Sequence, residues 1–344
     1  MSADILRIID ANINRTREAL RVVEDYARFV LDDTNAAAAA KRSRHRLRDI
    51  IAAIGADALL AARDIAGDVG RDVKTAGELR RADAEDVVRA AFARLGEATR
   101  ALAEYSKPAS ASAAAAAESL RYAAYELEQR IILRGTQRAR LRSVRLYVLI
   151  TEKLCRHDWL ETAAAAIRGG AGCLQLREKE QDDAELLRRA GQLRELTARQ
   201  NVLLAINDRP DVAKLARADI LHVGQGDLSV AQARRVAGTS VLVGKSTHTI
   251  GQFEAALAEE PDYLAVGPMF PSDTKPQDHI AGPELLAEAA KRTQLPLVAI
   301  GGITADNAAT VIQAGASCIC VCAAVIAADD PEAAARDIVS KLGA

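Results

Sequence analysis

Two aspartates in the C-terminal half of the chain could together hold a divalent cation. Asp208 follows the apolar run 202–206, and Asp227 follows the next such run, 220–223. Mg2+ is usually held by one or two carboxylates, while substrate phosphates and waters complete its octahedral shell. Either aspartate alone could equally begin a helix as its N-cap. As a pair that follows neighbouring strands, they predict a Mg2+ site for a phosphorylated ligand.

Basic and amide side chains in the same half of the chain could bind the phosphates. Gln175, Arg177 and Lys179 alternate at the end of an apolar run, which places them on one side of a strand. Such a donor-rich surface suits a diphosphate, although Arg and Lys are also ordinary surface residues. Lys275 ends a hydroxyl-rich loop and could neutralise a leaving diphosphate. Gly302 would let backbone N–H groups approach a phosphate, or would merely permit a tight turn.

The elements that must position these groups are short β-branched runs that alternate with amphipathic stretches beyond Arg142. This rhythm is typical of consecutive βα units and a parallel sheet. In a TIM barrel the active site lies at the C-terminal ends of the strands, where the polar groups occur here. We therefore predict a (β/α)8 TIM barrel over residues 143–344. Its eight strands are predicted at residues 144–150, 173–176, 202–206, 220–223, 241–243, 263–266, 297–300 and 318–321.

Residues 1–142 are predicted to form an all-helical bundle, because their apolar residues recur at helical spacing. The motif Arg-x-x-Glu-Ala-x-Arg that begins at Arg15 recurs 79 positions later at Arg94, which indicates internal pseudo-symmetry. Glu18 and Arg21 share one helical face, so we interpret the motif as part of a pair of salt-bridged surface helices. The alternative is that both copies converge on a phosphate or another charged ligand.

The bulk composition argues against several functional classes. No stretch approaches the roughly 20 consecutive apolar residues that cross a bilayer. Aromatic residues make up 3% of the chain and the net charge is −1, so no basic, stacking surface for nucleic acid is expected. The N-terminus lacks the features of a secretory signal, and five cysteines do not form a disulfide framework. We expect a soluble cytoplasmic protein that binds neither nucleic acid nor a membrane; a homo-oligomer is compatible with the sequence.

Cysteines and histidines near the predicted strand ends raise two further hypotheses. Cys318, Cys320 and Cys322 share one side of the last strand, as in a metal–thiolate site. No additional ligand motif completes such a site, so we favour packing inside the barrel. His222 and His248 could act as acid and base, but we interpret both as residues that orient their neighbours.

The C-terminal motifs, taken in order, resemble thiamine phosphate synthase. They are Gln-Leu-Arg-x-Lys, Asn-Asp, His-x-Gly-Gln-x-Asp, Gly-Pro-x-Phe-Pro-x-x-Thr-Lys and Gly-Gly-Ile-Thr, between Leu146 and Leu342. The resemblance implies a Mg2+-dependent transferase of thiamine biosynthesis. Such an enzyme joins 4-amino-5-hydroxymethyl-2-methylpyrimidine diphosphate to 4-methyl-5-(2-phosphoethyl)thiazole and releases diphosphate. The implied partners are therefore these two small molecules.

The same resemblance assigns roles to individual residues. Asp208 and Asp227 would bind Mg2+. One departure is Cys322-Ala323, which stands where the family commonly has Val-Ser, so that only backbone donors could serve the thiazole phosphate there. The residues expected to act in catalysis are Lys179, Lys275 and Ser246. The pyrimidine diphosphate would be held by Gln175, Arg177, Lys179, Asn207, Ser246 and Lys275, and the thiazole phosphate by Ser272, Asp273, Thr274 and Gly302.

Alternative functions are a thiazole tautomerase, which is similar in fold and loops, and a non-catalytic module that binds a phosphorylated ligand. The combination of Asp208, Asp227 and two lysines favours the synthase. The helical half resembles a domain fused ahead of such synthases and suspected of phosphorylating the pyrimidine monophosphate. It contains no Gly-x-x-x-x-Gly-Lys-Ser/Thr phosphate loop. Oligomerisation or scaffolding is the alternative for this half.

Overall fold

A computed structural model describes residues 2–31, 33–65, 67–69, 80–272 and 279–343. The chain divides into two compact units, Met1–Gly135 and Thr136–Ala344, which are described separately below. The boundary between the units falls inside a helix, seven residues before the domain boundary predicted between residues 142 and 143. Among the described residues, no helix is both long and apolar enough to cross a membrane.

The first unit is helical, as predicted. Three of its helices begin at residues with short polar side chains: Ser2, Asp33 and Asp83 each accept a backbone N–H hydrogen bond from the first turn of the helix that follows. Gly55, with a φ of 105°, separates the second helix from the third. The helices are α1 (Ala3–Phe29), α2 (Thr34–Ile54), α3 (Ala56–Ala61), α4 (Ala84–Ser106) and α5 (Ala111–Ser143), the last of which continues into the second unit.

The internal repeat extends to the core of this unit. Buried positions of α1 recur 79 positions later on α4, and buried positions of α2 recur 77 positions later on α5. The repeating element is therefore a pair of helices. The buried pairs include Ile9 and Val88, Ile13 and Phe92, Val23 and Leu102, Ala36 and Ala113, Ala40 and Ala117, and Ile50 and Leu127.

The repeated charged residues are exposed, and the last arginine of each copy forms an ion pair within its own helix. Arg21 pairs with Asp25 at 3.3 Å, and the equivalent Arg100 pairs with Glu104 at 3.0 Å. Both pairs have i,i+4 spacing rather than the i,i+3 spacing expected for Glu18 and Arg21. The interpretation as salt-bridged surface helices is correct, but the acidic partner of Arg21 is Asp25, one turn after it, and not Glu18, one turn before it.

The second unit is a closed barrel of eight parallel strands in sequential order, which confirms the predicted TIM barrel. The strands are β1 (Leu146–Ile150), β2 (Cys173–Leu176), β3 (Leu203–Asn207), β4 (Ile220–Val223), β5 (Leu242–Thr247), β6 (Tyr263–Val266), β7 (Leu297–Ile300) and β8 (Cys318–Val321). The helices that surround them are α6 (Trp159–Arg168), α7 (Asp183–Arg199), α8 (Pro210–Leu215), α9 (Val230–Ala237), α10 (Ile250–Ala258), α11 (Gly282–Ala290), α12 (Ala308–Gln313), α13 (Ala323–Ile326) and α14 (Pro331–Ser340), with a short 3-10 turn at Glu152–Leu154.

Strand β5 is longer than the sequence predicted, because Lys245, Ser246 and Thr247 continue the ladder with β6. The side chain of Lys245 is 7% exposed and points away from the barrel axis, where it pairs with Glu259 on the C-terminal side of α10 at 2.6 Å. A buried lysine is tolerated only with such a partner. The predicted strand, 241–243, ended before these residues.

Alternation along the strands separates the barrel interior from the layer between strands and helices. Cys173, Cys318 and Cys320 pack inside the barrel, and burial raises the pKa of each thiol, so that all three remain protonated. Within the described ranges no group of three or more His, Cys, Asp or Glu residues could hold a metal ion. Cys318 and Cys320 therefore pack inside the barrel, as predicted.

The last turns of α5 belong to the barrel unit and carry a buried ion pair. Arg138 donates to the fully buried carboxylate of Asp262 at 2.8 Å, and Arg234 and the Val243 backbone N–H also bind this carboxylate. We expect Arg138→Ala to lower the free energy of unfolding by about 1–3 kcal/mol, because a buried charge loses a partner. Chemical denaturation of the full chain measures this, with the exposed Arg142→Ala as control. Equal stability of the two variants would contradict a structural role for the pair.

Candidate active site

The two predicted metal-binding aspartates lie together at the C-terminal ends of β3 and β4. The backbone N–H of Asp208 donates to the carbonyl oxygen of His222 at 2.8 Å. The Asp227 carboxylate accepts the Gly224 backbone N–H at 2.7 Å. Neither aspartate is a helix N-cap, since α8 begins after Arg209 and α9 after Ser229. The alternative that either aspartate serves as a helix N-cap is therefore wrong.

Asp208 has one acidic and one basic neighbour. Burial raises its pKa, and the Asp227 carboxyl, which shares a hydrogen bond with it, raises the pKa further. Lys179 opposes this effect, with Nζ 3.5 Å from Asp208 Oδ2. Two neighbouring carboxyl groups, of which Asp208 is made harder to ionise by burial and by Asp227, form a set of oxygen donors that fits a hard divalent cation such as Mg2+.

Gln175 on β2, and Arg177 and Lys179 just after it, were predicted to share one side of the strand. Gln175 is buried inside the barrel, and Lys179 reaches Asp208. Arg177 is half-buried near Cys322, where burial raises the pKa of the thiol to about 11 and the charge of Arg177 opposes that rise. Asn207 ends β3 beside this group and is half-buried. The structure therefore brings these four predicted residues to the same end of the barrel.

A chain of buried polar side chains runs beneath this end of the barrel. Gln175 Nε2 donates to the Tyr147 hydroxyl at 3.1 Å, and the Tyr147 and Tyr263 hydroxyls are 3.5 Å apart. His222 then joins Tyr263 through Nδ1 and Ser246 through Nε2, each at 2.8 Å. The predicted substrate-binding residues Gln175 and Ser246 are thus linked through the barrel interior.

Sequence reasoning missed the two tyrosines and assigned His222 only a general orienting role. Tyr147 and Tyr263 lie on strands, where aromatic residues are common, and they showed no motif. The available signal was Gly244 on β5, because a Cβ there would lie 2.0 Å from Cζ of Tyr263. A glycine inside a barrel strand makes room for a large neighbour, here the ring that binds His222.

Burial lowers the pKa of His222 to about 4, so the imidazole is neutral at pH 7. One ring nitrogen therefore donates and the other accepts. The unfolded chain takes up a proton below about pH 6.5, whereas the folded protein does so only near pH 4. The stability contributed by this neutral histidine is complete above pH 6.5 and is lost as the pH falls towards 4.

We expect the wild type to lose about 2 kcal/mol more stability than His222→Gln between pH 7 and pH 4.5. Gln can keep a hydrogen bond but does not titrate. Urea denaturation at both pH values measures the difference, and the exposed His157→Gln should behave as the wild type. Identical pH dependence of the wild type and His222→Gln would show that the buried imidazole is not neutral.

The loops after β6, β7 and β8 hold the remaining predicted residues. Gly302 has a φ of 66°, and a Cβ there would lie 2.5 Å from the Phe270 carbonyl oxygen and 2.6 Å from that of Pro271. Ser272, which follows in the β6 loop, is half-buried, and Cys322 and Ala323 are half-buried after β8. The predicted residues Asp273, Thr274 and Lys275 lie outside the described residues.

Side chains of the loops bind backbone groups and orient them. Asn307 accepts the Thr304 backbone N–H at 2.9 Å and donates to the Gly302 carbonyl at 3.0 Å. The ring of His248 binds the Gly267 carbonyl oxygen at 2.6 Å, which joins the β5 and β6 loops. His248 therefore orients its neighbours, as predicted.

A closed parallel barrel with carboxylates, basic groups and glycine-containing loops at its strand ends belongs to the class of TIM-barrel enzymes for phosphorylated substrates. Residues 146–325 match the family described as Thiamine monophosphate synthase, and residues 7–130 match the ThiD2 family. A thiamine-phosphate synthase of Thermosynechococcus vestitus is 40% identical over 336 residues, which cover 98% of this chain and 94% of the relative. One of Rhodopirellula baltica is 38% identical over 94% of this chain and 89% of the relative.

The barrel is also similar to a solved structure, thiamine phosphate pyrophosphorylase from Pyrococcus furiosus. The TM-score is 0.55 at 31% identity, over 59% of this chain and 97% of the other. The chain therefore belongs to the thiamine-phosphate synthase family and carries a ThiD2 domain ahead of the barrel.

Proposed function

We propose that the barrel condenses 4-amino-5-hydroxymethyl-2-methylpyrimidine diphosphate with 4-methyl-5-(2-phosphoethyl)thiazole, forming thiamine phosphate and diphosphate. The observation that carries this proposal is the approach of Lys179 to Asp208 beside Asp227, at the end of the barrel that also presents Arg177. Anionic and cationic groups placed side by side suit a diphosphate that brings its own divalent cation.

Asp208 and Asp227 would hold Mg2+, and the diphosphate and water would supply the other oxygen ligands. The fit rests on two carboxylates that face each other, one of them with a pKa raised by burial and by its neighbour. When bound, Mg2+ supplies positive charge that offsets the charge on the leaving diphosphate.

The protein groups stabilise charge and fix geometry, so the chemistry needs no protein nucleophile. Diphosphate leaves a benzylic-type carbon on an electron-rich aminopyrimidine, and the thiazole nitrogen forms the new C–N bond. Lys179 and Lys275 would neutralise charge on the departing oxygens. Gln175, Asn207 and Ser246 would hold the pyrimidine diphosphate so that the reacting carbon faces the thiazole.

The thiazole phosphate would bind at the loops after β6, β7 and β8. Ser272 and the backbone around Gly302 support this position, because the two loops pack directly against each other. Asp273 and Thr274 would complete the set. At Cys322 and Ala323 only backbone N–H groups are available, since neither side chain provides the hydroxyl that is common in the family.

The experiment that tests the activity supplies the full chain with both substrates and Mg2+ and follows the phosphorus species by NMR. We expect thiamine phosphate and diphosphate in equal amounts. A thiazole tautomerase would instead change a thiazole substrate without the pyrimidine, and a binding module would release no diphosphate. Either result would contradict the proposal.

For the helical domain we propose phosphorylation of the pyrimidine monophosphate, on the strength of its ThiD2-family match. The full chain that carries Asp208→Asn is the suitable enzyme, because a blocked barrel would let the pyrimidine diphosphate accumulate. We expect this product from the monophosphate and ATP. If none forms, oligomerisation or scaffolding becomes the better account of the domain.

The two functions are proposed to divide between residues 1–142 and 143–344. We also place the protein in the cytoplasm, where a reducing environment suits its cysteines. All five, Cys155, Cys173, Cys318, Cys320 and Cys322, are free thiols.

A further inference from the structure

We propose that Arg189, on the outer helix α7, is a positioning residue that sets the direction of Arg177 and Lys179 through Glu178. The proposal rests on the proposed function, in which these two basic residues bind the diphosphate. Arg189 lies in the layer between strands and helices, and its side chain is 8% exposed. It therefore acts on the substrate only through other residues.

Arg189 joins three elements through one guanidinium group. It contacts Glu152 after β1 at 2.6 Å, Glu178 after β2 at 3.5 Å and Glu185 on α7 at 2.6 Å. The guanidinium also lies 5.4 Å from the ring centre of Trp159 on α6. An arginine can make these contacts together because its planar group offers five donors in a fixed arrangement.

Glu178 lies between the two diphosphate-binding residues in the sequence and faces the opposite way. Its side chain is 6% exposed, and its Oε1 accepts the Glu152 backbone N–H at 2.7 Å. Because successive side chains alternate along an extended segment, a fixed Glu178 directs Arg177 and Lys179 towards the barrel mouth. Burial raises the pKa of Glu178, which Arg189 opposes.

Hydrogen bonds also join the C-terminal ends of β1 and β2 beside Glu178. Arg177 donates its backbone N–H to the Ile150 carbonyl at 2.9 Å, and its own carbonyl accepts from the Thr151 hydroxyl at 2.8 Å. These bonds hold Arg177, but Lys179 lies beyond them and its side chain is 58% exposed. Next to Lys179, Glu180 pairs with Lys153 at 2.6 Å, but both side chains are exposed, so the contacts of Glu178 are the nearest buried restraint on the residue that reaches Asp208.

Arg188 provides a matched control on the same helix. It binds Glu185 at 2.6 Å, as Arg189 does, but its side chain is 55% exposed. Its hydrogen-bond partners within the described part of the chain are Glu185 and Gln192, both on α7. Arg188→Met therefore removes a charge and an ion pair from α7 without touching Glu178.

The test measures the KM of each substrate and kcat for Arg189→Met, Arg188→Met and the double variant Glu178→Gln/Arg189→Met. We expect Arg189→Met to raise the KM of the pyrimidine diphosphate at least tenfold, and that of the thiazole phosphate less than twofold. Arg188→Met should stay within twofold of the wild type for both. The double variant should recover most of the lost affinity, since the neutral amide introduced by Glu178→Gln can still accept the Glu152 N–H without a buried charge.

A merely structural role predicts a different pattern. If Arg189→Met changes the KM of both substrates alike, leaves both unchanged, or is not improved by Glu178→Gln, the positioning role is wrong. Should Arg189→Met fail to fold, Arg189→Lys keeps the charge but cannot span the three carboxylates, and it should show the same selective effect at smaller size. If the wild type forms no thiamine phosphate, the proposed function fails before any variant is compared.

Discussion

Asp208→Asn is expected to lower kcat/KM by about a thousandfold while the metal-free protein becomes no less stable. Activity should fall because a neutral amide cannot replace a carboxylate ligand that places charge at the leaving diphosphate. Stability should be kept because partial burial and the neighbouring Asp227 raise the pKa of the half-buried Asp208 carboxyl, and Asn removes the cost of ionising it. Asn also accepts the positive φ of 60° at this position, so the backbone is retained.

Steady-state kinetics and thermal unfolding measure the two effects on the same samples. Mg2+ with diphosphate should raise the unfolding temperature of the wild type but not that of Asp208→Asn. Asp211→Asn is the matched control, because Asp211 is an exposed carboxylate on the neighbouring helix that pairs with Arg209. It should leave kcat/KM within twofold. Similar losses in both variants would argue against a metal-binding role for Asp208.

Gly302→Ala is expected to lower kcat/KM for the thiazole phosphate by a hundredfold or more and to destabilise the barrel by about 2–3 kcal/mol. A Cβ at this position would lie within 2.6 Å of two backbone carbonyl oxygens, at Phe270 and Pro271, which cannot move as a flexible side chain would. The φ of 66° adds about 1 kcal/mol of strain for alanine. The β6 and β7 loops must therefore separate where the phosphate is expected to bind.

The control for this variant separates backbone strain from steric overlap. Gly238 also has a positive φ, of 103°, but nothing lies within 4 Å of a Cβ placed there. Gly238→Ala should therefore lose some stability and keep its KM for the thiazole phosphate. Kinetics at several thiazole phosphate concentrations, together with urea denaturation, measure both quantities. A Gly302→Ala variant with unchanged KM would show that the phosphate does not bind against these loops.

The residues that the sequence could identify are those with local signals. The alternation of strand-like and amphipathic segments predicted the barrel, and position at a strand end predicted the location of Asp208, Asp227 and Lys179. The helical spacing of apolar residues and the 79-residue repeat predicted a helical first unit with internal pseudo-symmetry. Each of these features depends on residues close together in the chain.

Features that depend on distant residues were not predictable. The extension of β5 through the buried Lys245 requires the half-buried Glu259 as a partner, and Glu259 lies at the end of the following helix. The links between Tyr147, Tyr263 and His222 exist only once strands β1, β4 and β6 surround one interior. Arg189 likewise resembled any surface arginine until the barrel placed it beside Glu178.

The most direct test of the account is the dependence of thiamine phosphate formation on Mg2+ in the wild type and in Asp208→Asn. Both substrates are supplied to the full chain, and the initial rate is measured as Mg2+ is raised from a chelated baseline. The account predicts that the wild-type rate rises from near zero to a plateau, while the Asp208→Asn rate remains low throughout. A rate that is indifferent to Mg2+ and to this substitution would contradict it.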